Sequence, residues 1–309
     1  MSAHNTLGRD TFPNLGPIPQ MRRRASSQSK LDTLAWSAGL SFIAYGVRIG
    51  VRANRADVMA RSVDYLPLGW KPSSSPIVEQ VYSIICDDQS GPENGVCFHL
   101  YKDNQRLLLC GQESQLLECL EADVTLQVAE STRRRVFVHA GVVSWGGRAI
   151  LIPGRTFSGK TTLVAELVRA GAVYYSDEFA VIDHNGLVHP YARPLQLRED
   201  GGFRQTKRPV EELGGVAGHA PLLPGLVLLS RYEAGARWHP RHISAGQALL
   251  GLLDNTVSAR RGPAAALRVL KQVVTQSFAV KGSRGEGQEV VDWITTHFDP
   301  QCMFPSPIE

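Results

Sequence analysis

Eight consecutive residues, Gly154-Arg155-Thr156-Phe157-Ser158-Gly159-Lys160-Thr161, carry the strongest chemical signal in the chain. They match the pattern of a glycine, four residues and then Gly-Lys-Thr without a mismatch. A row of phosphates needs several backbone N–H donors turned towards one point, and glycines permit the bends that arrange them. A helix expected to start near Gly159 adds its free N–H groups and the positive end of its dipole. Lys160 supplies a compact cation for the outer phosphates, and the Thr161 hydroxyl is a suitable ligand for Mg²⁺ beside them. Gly154 to Thr162 are therefore the expected binding residues for a nucleoside triphosphate, with ATP and Mg²⁺ as the expected pair.

Phosphoryl transfer needs more than binding. A kinase wants a carboxylate to orient the acceptor hydroxyl and take its proton. Mg²⁺ takes one or two carboxylates next to the phosphates. Asp177 and Glu178 follow the first apolar run after the loop, at the end of an expected strand. Side chains at the carboxyl ends of strands face the ligand crevice of α/β sheets, so the pair is expected beside the loop. His139 stands in an apolar run before the loop, where a lone histidine reads first as a satisfied core residue. Arg193 and Arg198 bracket Pro194-Leu195-Gln196-Leu197, and either offers charge for a transferring phosphoryl group or is a surface cation.

The elements around these residues follow from hydrophobic pattern and turn chemistry. Val136 to Val143 and Ala149 to Pro153 are two apolar runs separated by Gly146-Gly147, a natural tight hairpin turn. The strand feeding the loop is thus expected to run antiparallel to its predecessor, unlike the parallel alternation of doubly wound sheets. Lys160 to Ala170 reads as a helix closed by Gly171. Strands are expected at Ala172–Ser176, Phe179–Asp183 and Gly225–Leu229, and helices over 245–258 and 263–277. The preceding half is shorter and mixed. One strand is expected over Ser41–Val51, a helix over Asn54–Tyr65 capped by Asn54, a hairpin around Asp103-Asn104, and a helix over 113–135. That half shows no constellation that suggests chemistry. Residues 1–30 are polar and contain prolines, the composition of a disordered tail.

The stretch from His139-Ala140-Gly141 through Gly154–Thr161 and Ser176-Asp177-Glu178 to Arg193–Arg198 resembles the catalytic domain of the HPr serine kinase/phosphorylase family. The resemblance implies an α/β fold of the kind shared with phosphoenolpyruvate carboxykinase, with the phosphate loop set in a mixed sheet. It implies that Asp177 is the general base, that Glu178 joins Thr161 at the metal, and that His139 and Lys160 lie by the phosphates. The implied organisation is a tail at 1–30, a smaller α+β domain at 31–130 and the catalytic domain at 131–309. The implied function is ATP-dependent transfer of the γ-phosphate to a serine hydroxyl of a protein or peptide. Three departures argue against HPr itself as the acceptor. The acid pair is Asp-Glu rather than Asp-Asp, Arg155 replaces the usual acid after the first glycine, and the family's Arg-Gly signature is not found. Two other readings keep the loop: a nucleotide-binding switch or assembly protein without turnover, and a phosphotransferase acting on a small alcohol.

Composition narrows the classes further. Hydrophobic residues make up 43% of the 309 residues and charged residues 20%, which is ample material for a core. The net charge of +4 is spread over short runs such as Arg133-Arg134-Arg135, and nothing resembles a nucleic-acid module, so nucleic acid is not an expected partner. Five cysteines without a CxxC pair indicate neither a disulfide framework nor zinc. No secretory signal or membrane span is read, and the expected location is the cytoplasm. The family forms hexamers, which raises a homo-oligomer here, although the helix that assembles them is not recognisable.

Overall fold

The computed structural model describes residues 22–23, 30–88, 95–155, 158–198 and 205–304. Almost all of the expected N-terminal tail lies outside them, as do Thr156 and Phe157 of the loop. The chain is mixed α/β and divides into two compact units, Met1–Thr132 and Arg133–Glu309.

The first unit is a six-stranded mixed sheet packed against two helices. Its main strands are β1 (Ala38–Ala44), β2 (Val47–Ala53), β3 (Gln80–Asp87), β4 (Cys97–Lys102) and β5 (Gln105–Cys110). They lie in chain order, with a two-residue strand at Lys71–Pro72 on the edge beside β1. β2 and β3 run parallel and the other neighbours antiparallel. The single strand expected over Ser41–Val51 is instead a hairpin. Tyr45 (φ 49°) and Gly46 (φ 85°) both take positive φ, the conformation of a tight turn whose twist matches its strands. Helix α1 spans Ala56–Ser62 and tightens into a 3₁₀ turn over Val63–Tyr65. Asn54 does not cap it. Its amide instead donates to the Cys86 carbonyl (2.9 Å) and accepts from the Cys86 N–H (2.8 Å), tying β2 to β3. Helix α2 (Glu113–Ser131) ends four residues short of the expectation and lays Leu116, Leu120, Val124 and Val128 onto Phe42, Ile49, Tyr82 and Leu100.

The second unit holds an eight-stranded mixed sheet. β6 (Val136–Trp145) and β7 (Arg148–Pro153) form an antiparallel hairpin whose turn is Gly146 (φ 54°) and Gly147 (φ 80°). Helix α3 (Lys160–Arg169) follows the loop, and Gly171 beyond it takes φ 103°, a conformation that favours glycine. β8 (Val173–Ser176) and β9 (Phe179–Ile182) both pair antiparallel with β6, continuing along it from Ser144 to Val136. They behave as one strand interrupted at Asp177-Glu178. β10 (Leu195–Arg198) and β11 (Gln205–Arg208) make a separate hairpin. β12 (Pro224–Tyr232) runs parallel to β7. Helices α4 (Ala245–Leu253) and α5 (Pro263–Thr275) then lead to β13 (Phe278–Arg284), parallel to β12, and to helix α6 (Gln288–His297). The helix expected over 245–258 stops at Leu253, and Val257–Arg260 forms a 3₁₀ turn instead.

Both faces of this sheet are covered, which is why β6 and β7 read as nearly unbroken apolar runs. Successive side chains on a strand point to opposite faces. Ile150 and Ile152 accordingly pack with Leu163, Val164 and Leu167 of α3 and with Val290 and Ile294 of α6. Ala149 and Leu151 pack with Ala248 and Leu252 of α4 and with Leu270 and Val273 of α5. Gly141 on β6 lets α3 sit close, since a Cβ there would stand 2.5 Å from Val164 Cγ2. Gly141→Val should therefore overpack this seam and cost about 1–3 kcal/mol. Thermal unfolding checks this, and an unchanged midpoint would show that α3 has room to move. Among the described residues no helix is long and apolar enough to cross a membrane, and all five cysteines are free.

Candidate functional site

Three parallel strands, β7, β12 and β13, end at the same side of the sheet, the side where α/β folds place ligands. The loop leaves from the end of β7. Its first residue is tied to the neighbouring strand, because the Gly154 N–H donates to the His139 carbonyl at 3.1 Å. Gly154 has no room for a side chain, since a Cβ would lie 2.6 Å from Ser158 Oγ. Gly159 stands immediately before α3 with φ 77°, a left-handed conformation that strains any other residue type. Lys160 and Thr161 open the helix, both half-buried, while Arg155 and Thr162 are exposed.

The acid pair interrupts β8 and β9, which do not adjoin β7. β6 intervenes, with β7 on one edge and β8 and β9 on the other. The register nevertheless brings the acids to the loop. Ser176 pairs with Val142 and Phe179 with His139, so Asp177 and Glu178 fall opposite Gly141 and Ala140. The Glu178 carbonyl accepts from the Ala140 N–H at 3.2 Å. Asp177 is 8% exposed and accepts from the Tyr174 hydroxyl (3.0 Å), which also reaches the Arg193 carbonyl, and from the Gln196 N–H (3.3 Å). The Thr161 hydroxyl at the start of α3 helps to favour the charged form of Asp177.

The charges act on one another. Burial raises the pKa of Asp177, and its hydrogen-bond donors oppose that rise. Burial lowers the pKa of Lys160, while the charges of Asp177 and Glu178 favour its ammonium form. The ammonium donates to the Arg155 carbonyl at 2.7 Å, across the loop. His139 is pushed below its usual value, first by burial and then by the Lys160 charge, which leaves a neutral imidazole at pH 7. Its ring lies tilted against Phe179, with centroids 4.6 Å apart. His139, Lys160, Thr161, Asp177 and Glu178 thus form one electrostatic neighbourhood.

No family model and no curated protein matches this sequence.

The residues present fit a polyphosphate on two observations. Ser158 Oγ is buried without a hydrogen-bond partner inside the loop. The Lys160 ammonium donates to the loop's own Arg155 carbonyl, an arrangement that a phosphate oxygen can replace. Among the described residues no three of His, Cys, Asp and Glu converge as a protein-only cation cage. A Mg²⁺ ion carried by phosphates requires only one or two protein ligands, so Thr161 and Glu178 suffice as candidates.

Arg193 lies over the Tyr191 ring at 5.8 Å, and its carbonyl accepts from the Tyr174 hydroxyl at 2.8 Å. Arg198 pairs through its backbone with Gln205. Three contributors escaped the sequence reading: the Tyr174 hydroxyl, the Gln196 N–H and Arg284. Tyr174 and Gln196 flank singled-out residues, but only the pairing of chain segments shows that they meet Asp177. Arg284 lies more than a hundred residues from the loop and carries no local signal at all.

Proposed function

We propose that this chain is an ATP-dependent serine kinase of the HPr-kinase-like type, with its phosphate loop in the mixed sheet and a protein or peptide hydroxyl as acceptor. The observation that carries the reading is that the loop and the acid pair meet across β6: Gly154 is tied to His139 on one edge, and Asp177, buried, and Glu178 lie opposite Gly141 and Ala140 on the other. Phosphoryl transfer to a hydroxyl calls for a carboxylate that can orient the acceptor and take its proton, and Asp177 supplies one beside the loop. In this reading Asp177 accepts the proton of the acceptor hydroxyl as its oxygen bonds to the γ-phosphorus. The bond from that phosphorus to the β–γ bridging oxygen breaks, and ADP leaves. Lys160 and the N–H groups of the loop hold the phosphates. Neutral His139 lies beside them without adding charge. Mg²⁺, held by Thr161 and Glu178, would neutralise charge on the phosphate oxygens.

A specific observation favours the second reading, a nucleotide-binding switch without turnover. Asp177 is already engaged by Tyr174 and Gln196, an arrangement that also suits an acid that only holds the loop and its metal in place. Incubation with γ-labelled ATP and a lysate of the source organism separates the two. The kinase reading expects label in a discrete acid-stable protein or peptide band. ATP recovered intact, with tight binding retained, would leave the switch.

A further inference from the structure

Arg284 ends β13 and is only 2% exposed. A buried guanidinium is costly unless its donors are satisfied. Its Nη2 donates to the Gly159 carbonyl at 2.8 Å and to the Ser158 carbonyl at 3.3 Å, and its Nε approaches Ser230 Oγ at 3.4 Å. The Tyr232 ring lies 5.8 Å from the guanidinium, and the Glu166 carboxylate is the opposing charge that acts on it most. The fit around the loop is close, because a Cβ on Gly159 would stand 2.5 Å from Arg284 Nη2. Gly287 behind it is equally constrained, since a Cβ there would collide with the Glu166 carboxylate.

In a trans peptide the carbonyl and the following N–H point in opposite directions. Drawing the Ser158 and Gly159 carbonyls towards Arg284 therefore turns the N–H groups of Gly159 and Lys160 away from it. Those two N–H groups belong to the start of α3, where helix geometry supplies them no partner. We infer that Arg284 is a positioning residue for phosphate: from behind the loop it holds the Ser158 and Gly159 carbonyls, so that the Gly159 and Lys160 N–H groups are presented to the polyphosphate of a bound nucleotide. The inference rests on the nucleotide reading of the loop. Arg284 touches no phosphate in this role and contributes nothing to proton transfer.

The test is calorimetric titration of the full chain with Mg·ATP and, separately, with inorganic tripolyphosphate, alongside the thermal midpoint of each ligand-free protein. Arg284→Met should weaken both ligands by a similar factor, about tenfold or more, because preorganised N–H donors are lost for both. Arg284→Lys keeps the charge, but one ammonium cannot reproduce a planar fork across two carbonyls, so it should still bind both ligands several-fold more weakly than wild type. A purely structural role predicts a lower midpoint with ATP affinity unmoved, and that result in either folded variant overturns the inference. So does a loss confined to ATP with tripolyphosphate unaffected, which would place the effect on the nucleoside. If Arg284→Met does not fold, the lysine variant decides alone. Wild-type protein that binds neither ligand would overturn the nucleotide reading itself, a result distinct from unchanged affinity in the variants.

Discussion

Asp177→Asn should reduce phosphate transfer by about 10²–10⁴-fold, the usual worth of a positioned general base, while leaving ATP affinity near that of wild type. The amide occupies the same volume and can still accept from Tyr174, whose hydroxyl also reaches the Arg193 carbonyl. What it cannot do is take a proton. Single-turnover transfer from labelled ATP, set beside a binding titration, measures both quantities. Transfer at the wild-type rate would remove Asp177 from the base role.

The same residue makes a pH prediction. Burial raises its pKa above that of an exposed aspartate. The base works only when ionised, so the acidic limb of the wild-type rate should lie higher than about pH 4, where an unperturbed carboxyl would place it. Stability follows by linkage. A group whose folded pKa exceeds its unfolded one contributes stability below the unfolded pKa and loses it as pH rises through the folded value. Wild type should therefore lose stability relative to Asp177→Asn as the pH rises from acid to neutral. Parallel melts of the two proteins across that range check the sign.

Lys160→Met should weaken Mg·ATP binding and transfer together, by about 10²–10³-fold, the scale seen when one preorganised donor to developing charge is removed. Methionine keeps an unbranched apolar stem, so packing at the start of α3 is largely preserved. Burial is the main cause of the lowered His139 pKa and persists, but the substitution removes the added effect of the Lys160 charge, so that pKa should rise part of the way towards its ordinary value. Titration of the His139 ring by NMR provides that second reading. ATP binding at wild-type strength in Lys160→Met would mean that the loop does not hold the phosphates.

Much of the second unit was legible in the residues themselves, because local chemistry decides it. Gly146-Gly147 specifies a tight turn through backbone freedom, and a hairpin there has little alternative. The period of apolar residues separates the strand ending at Pro153 from the helix beginning at Lys160. The first unit was less legible. Tyr45-Gly46 turns the chain inside what looked like a single strand, because a tyrosine at φ 49° has no strong local signature and is held by the sheet around it. Asn54 has the residue type of a helix cap, yet its amide reaches more than thirty residues along the chain to Cys86. In each case a tertiary partner outcompeted a local preference of about a kilocalorie per mole.

The sequence by itself determined the composition of the loop, the helix behind it and the presence of an acid pair two elements later. Spacing and residue type suffice for those, since each depends on a few neighbouring residues. Which strand carries the acids past the loop was a matter of sheet order. Inserting β6 between them, and pairing Ser176 with Val142, are choices among alternative long-range registers that no local pattern distinguishes. The protonation behaviour of Asp177 and the placement of Arg284 against the Ser158 and Gly159 carbonyls likewise belong to the tertiary structure. Both depend on burial and on partners brought together only when distant segments of the chain pack.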